Sequence, residues 1–115
     1  VSDKNIDYEK AFNSMIERLV VIQKHKAIER FGLYKNDQEF FGAIFEEYKE
    51  ANKDMATLRY YFEKDMLIEE ITANKEIDGC IEEIKEMSLN AIKELIQVVA
   101  CCDKYNESNV ANKEE

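Results

Sequence analysis

The chain has 115 residues, 45% of them hydrophobic and 36% charged, with no proline and only three glycines. A net charge of −9 repels phosphate backbones and argues against polymeric DNA or RNA as a partner. No apolar run approaches the roughly 18 residues of a membrane span and no signal peptide is visible, so the expectation is a protein with no membrane partner.

Few turn residues in a chain of this length mean few elements, each long. The fold class expected is all-α: a bundle of three to four long antiparallel helices, in one domain over residues 1–105. The first helix is predicted from about Ile6 to Phe31, because Tyr8, Ala11, Met15, Leu19 and Ile22 recur every three or four residues. Gly32 supplies a stop, and Asn36 or Asp37 a cap for the next start. The second helix begins near Asp37 with the stripe Phe40, Ile44, Tyr48, Ala51, Met55, Leu58, Phe62 and Met66, and its pattern runs on toward Ile71. A stripe this long leaves room for a kink or short interruption between Asn52 and Thr57. Thr72 to Asp78 is polar and reads as a loop or as the start of the following helix.

The third long helix is predicted from about Ile77 to Tyr105 on the stripe Ile77, Cys80, Ile84, Met87, Ala91, Leu95, Val98, Cys102 and Tyr105. From Leu95 to Cys102 it is apolar nearly all round, with Ile96, Val99 and Ala100 off the stripe. A helix apolar on two sides is buried on two sides. In so small a domain the second partner is expected to be another subunit, giving a homodimer or homotetramer. Residues 106–115 are polar and read as a disordered tail. Cys80, Cys101 and Cys102 are odd in number and unlike a zinc site in spacing, which fits small core residues in a reducing cytoplasm.

The chemistry concentrates on two helix margins. Counting about 100° per residue from the stripe, Glu47 falls on one flank of the second helix. Glu50 and Asp54 share that flank, while Glu46 points further out. On the third long helix Glu94 falls on the corresponding flank, with Gln97 beyond it. If the stripes pack, three carboxylates and an amide oxygen converge, an all-oxygen set that suits Mg²⁺ or Mn²⁺. Against this, glutamates are common on helices and most face water. Glu94 nevertheless sits in the most apolar stretch of the chain, where an unpaired carboxylate is expensive, and no lysine or arginine occurs from Leu95 to Asp103.

The run Phe41-Gly42-Ala43-Ile44-Phe45-Glu46-Glu47-Tyr48-Lys49-Glu50-Ala51 resembles the EExxE helix of the all-α nucleoside triphosphate pyrophosphohydrolases, the MazG and dimeric dUTPase group. Ala91-Ile92-Lys93-Glu94-Leu95-Ile96-Gln97-Val98-Val99-Ala100 resembles that family's ExxD helix, and is closer still to MazG-like proteins of phages and prophages in which glutamine stands at the aspartate position. The resemblance implies a Mg²⁺ site and hydrolysis of a nucleoside triphosphate to monophosphate and pyrophosphate. Carried over by position, Glu47, Glu50, Glu94 and Gln97 would hold the metal and Glu46 would be a ligand or the base. Lys49 or Lys93 would meet phosphate of a small nucleotide. Gln97 removes one negative charge and one potential base. That favours a nucleotide-binding or sequestering protein over a hydrolase, with an acidic helical protein-interaction module as the third reading.

Elsewhere, His25 lies beside Lys24 and Lys26 on the flank of the first helix. It is expected to be solvated, with a phosphate contact from this basic trio as the alternative. Tyr60, Tyr61 and Phe62 cannot all point inward from one helix, so one or two face a partner or ligand.

Overall fold

The computed structural model describes residues 6–113. Its elements in chain order are α1 (Tyr8–Phe31), α2 (Asp37–Glu63), α3 (Met66–Thr72) and α4 (Asp78–Lys113), with no strand among the described residues. None of these helices is long and apolar enough to cross a membrane.

Local chemistry sets the boundaries. The Asp7 carboxylate accepts from the Lys10 N–H at 3.0 Å and caps α1. Gly32, at φ 75°, ends it while its N–H donates to the Ile28 carbonyl at 2.7 Å, a backbone conformation that side chains disfavour. Asn36 caps α2 by accepting from the Glu39 N–H at 2.9 Å, and Glu39 reaches back to the Lys35 N–H at 3.1 Å, close to a capping box.

The interruption expected between Asn52 and Thr57 falls instead at Lys64–Asp65. Residues 52–57 are regular helix, braced by Arg59, whose guanidinium donates to the Asn52 side-chain oxygen at 3.2 Å. The break comes where Asp65 enters the left-handed region at φ 58°. The apolar stripe continues past it on the short α3, which packs back on α2. Of the three consecutive aromatics, Tyr61 is buried and Tyr60 and Phe62 are exposed.

α4 is the spine. Its 36 residues span about 54 Å at 1.5 Å per residue. α2 packs along it and α1 crosses its C-terminal half. The disordered tail expected over residues 106–115 is corrected: 106–113 continue α4, and 114–115 lie outside the described residues. Ser108 is 1% exposed. Its Oγ accepts from the Tyr34 N–H at 2.8 Å and donates to the Lys104 carbonyl at 2.8 Å, while Asn112 donates to the Tyr34 carbonyl at 3.4 Å. These polar side chains bind the backbone of the α1–α2 connection rather than water, which composition does not distinguish. The same end is closed by Phe40 against Tyr105 (centroids 4.4 Å apart) and by the Tyr105 hydroxyl donating to Asp37 at 3.1 Å.

The layer is open rather than a closed bundle. Its extents are 65 × 47 × 20 Å and its radius of gyration is 19.1 Å, against about 13 Å for a compact domain of this length. The apolar girdle of α4 divides: Ala100 is buried on the side that α1 covers, while Val99 stays exposed.

Candidate metal and anion site

Antiparallel packing of α2 on α4 brings the two acidic margins together. One carboxylate oxygen from each of Glu47, Glu50 and Glu94 lies within 4.8 Å of the others. Glu50 is exposed, while Glu47 and Glu94 are half-buried. Glu94 Oε2 is buried with no hydrogen-bond partner among the described residues. Burial, and then the adjacent Glu47, push the Glu94 carboxyl above the usual carboxylate range. Glu50 is pushed the same way, first by its contact with Glu94. Like charges this close cannot all ionise freely. A proton or a cation must relieve them, and a divalent ion with oxygen ligands is the cation that such a set accommodates.

The remaining candidates take other places. Gln97 satisfies its surroundings with the amide nitrogen turned toward Glu47, donating to Oε1 at 3.0 Å. In that orientation it is the amide nitrogen, not the oxygen, that faces Glu47. Glu46 lies outside the three-carboxylate group and pairs with Lys49 at 3.0 Å, both well exposed. Lys49 also lies over the Phe45 ring, at 5.3 Å. Lys93 is on the exposed side of α4, and neither lysine borders the cleft described next.

That cleft, about 300 Å³, lies where α1 crosses α4. Glu47 and Gln97 form one wall and connect it to the carboxylate group; Lys26, Arg30 and Lys104 contribute cations to its lining. Lys104 is the unusual one. It is 4% exposed, it has no carboxylate within 4.0 Å among the described residues, and its Nζ lies 4.2 Å from the centroid of the Tyr34 ring. Burial lowers its pKa, because an ammonium without a counterion is costly to desolvate. The Tyr34 phenol and the Cys101 thiol beside it are both raised, chiefly by burial, so both are neutral, and Glu39 is the carboxylate whose field reaches Lys104 without pairing with it.

Sequence reading placed Glu47, Glu50 and Glu94 together and left out the cleft cations Arg30 and Lys104. Of the basic trio Lys24, His25 and Lys26, Lys26 lines the cleft while Lys24 pairs with Glu107 at 3.2 Å and His25 is exposed. A signal was present in the four-residue spacing of Lys26 and Arg30, and in a lysine lying seven residues after Gln97. Nothing in either spacing identified which helix those residues would face. Comparison with known proteins produced no match to a family model, a curated protein or a solved structure, so the chemistry of the site rests on its own residues.

Proposed function

We propose that this chain is a Mg²⁺-dependent nucleotide-binding protein of the MazG-like type, with Mn²⁺ as the alternative ion, acting as a homo-oligomer in a reducing cytoplasm. One observation carries the reading: Glu47 belongs both to the three-carboxylate group and to a cleft lined by Lys26, Arg30 and the buried, unpaired Lys104. A metal-bound phosphate chain calls for this alternation, carboxylates for the ion and cations for the remaining phosphate oxygens. Glu47, Glu50 and Glu94 would hold the ion; when bound, it would neutralise and polarise the phosphate oxygens. Gln97 keeps Glu47 in place. The net charge of −9 disfavours a polymer and leaves a small nucleotide as the ligand class. The three free cysteines suit a reducing compartment.

Binding is favoured over turnover because the amide of Gln97 cannot accept a proton and Glu46 lies outside the three-carboxylate group, in an exposed pair with Lys49. Hydrolysis to monophosphate and pyrophosphate is the second reading, favoured by the exposed position of Glu50 at the edge of the carboxylate group, from which it would act on water where Glu47 and Glu94 alone hold the ion. Thermal stability measured with Mg²⁺ and a panel of nucleoside triphosphates tests the proposal. Mg²⁺ is expected to raise Tm, and a cognate nucleotide to raise it further. A ligand at a hundredfold excess over Kd contributes about 2.7 kcal/mol. Lys104→Ala should remove the nucleotide increment and keep that of Mg²⁺. If no triphosphate shifts Tm in the presence of Mg²⁺, the nucleotide reading is lost. Pyrophosphate release on the same panel separates hydrolysis from binding.

A further inference from the structure

We infer that the N-terminal half of α1 is a docking arm for a second copy of this chain, the two arms pairing across a two-fold axis. This names the surface used by the homo-oligomer stated above and stands whether or not a nucleotide binds. Every residue from Ile6 to Leu19 is exposed, with Tyr8 at 74%, Phe12 at 64% and Met15 at 65%. Val20 is the first buried residue of the helix. This stretch is propagated from the packed half of the same 24-residue helix, but most helical stability in proteins comes from burying an apolar face, and the face here is left uncovered. Its apolar side chains are not scattered. Tyr8, Phe12, Met15, Leu19 and Ile22 are spaced 4, 3, 4 and 3 apart, the narrow seam that suits one partner helix rather than a broad core.

Area and charge point to a second copy as that partner. The chain exposes 9049 Å², whereas a compact monomer of 13.5 kDa exposes about 6,500 Å². That excess belongs to the whole open layer, exposed side chains of α2 and α4 such as Phe41 and Leu95 included; it exceeds the roughly 1,000 Å² per subunit at which large, permanent dimer interfaces begin, so an arm contact can take part of it. The chain as a whole carries −9, but residues 8–22 hold two acids (Glu9, Glu17) and two bases (Lys10, Arg18). Two arms therefore meet without the net repulsion that other acidic surfaces would impose. An apolar seam on a neutral helix is self-complementary, as a two-fold contact requires.

Sedimentation equilibrium of the full chain, without metal or nucleotide, tests this together with amide hydrogen exchange. The expected mass is twice 13.5 kDa, with amides of residues 9–19 protected and that protection falling on dilution. Met15→Glu with Leu19→Glu should halve the mass and expose the arm's amides while those of α2 and α4 stay protected. A wild-type monomer at tens of micromolar, or a double variant that still dimerises, overturns the inference. Should the double variant unfold, the wild-type exchange decides: fast exchange over residues 9–19 overturns it, and dilution-sensitive protection supports it. None of these outcomes depends on the carboxylate site, so a failure here leaves the nucleotide reading to its own test.

Discussion

Glu94 concentrates the tension of the site in one side chain, with a buried, unpartnered oxygen beside two further carboxylates. Its pKa is raised in the folded chain. Between the unfolded and folded values the native state holds the extra proton, so stability falls as pH rises through that window and is recovered on acidification. Glu94→Gln removes the charge and is expected to stabilise the metal-free chain at neutral pH by on the order of 1 kcal/mol. It should flatten this part of the pH dependence and abolish the Mg²⁺ shift, all readable by thermal denaturation at several pH values. A variant less stable than wild type at pH 7 and still responsive to Mg²⁺ would remove Glu94 from the site. Ser108 supplies the opposite case, a small polar residue whose hydroxyl is fully used. Ser108→Ala strands the buried Tyr34 N–H and should cost about 1–3 kcal/mol in urea denaturation.

At the scale of elements, the C-terminal turns of α4 act as a strap. They hold the α1–α2 connection through Tyr34 and Ser108 and pair Lys24 with Glu107. Deleting residues 106–115 is therefore expected to lower stability by about 2 kcal/mol or more and to loosen α1, seen as faster exchange over residues 20–31. An unchanged denaturation midpoint would mean that the segment is dispensable. The break between α2 and α3 depends on Asp65 at φ 58°. Asp65→Gly should be neutral or stabilising by up to about 1 kcal/mol, whereas a β-branched residue there should destabilise by about 1–2 kcal/mol.

For the whole molecule, 20 Å of thickness and 19.1 Å of gyration radius describe a layer in which α1 and α2 are both laid on α4. That geometry makes the candidate site. A closed bundle would fill the crossing of α1 and α4 with apolar side chains, whereas the open layer leaves a cleft there beside Glu47. The same openness leaves large apolar side chains of α1 exposed. Removal of bound divalent ions with a chelator is expected to lower Tm without changing the mass in solution, since the carboxylate group and the arm lie on different parts of the chain. A coupled change in both would place the arm and the metal site in one linked unit.

The all-helical class, the start of α2 and the shared flank of Glu47, Glu50 and Glu94 were legible in residue order, because helical periodicity places residues around an axis without reference to anything distant. Where α2 breaks, whether residues 106–113 fold, and which cations meet Glu47 were decided by tertiary structure. Each depends on what a side chain meets across tens of positions: Ser108 on Tyr34, Lys104 under the Tyr34 ring, Arg30 and Gln97 lining one cleft. Polar composition looks the same whether its hydrogen bonds go to water or to a buried backbone, and only the packed chain distinguishes the two.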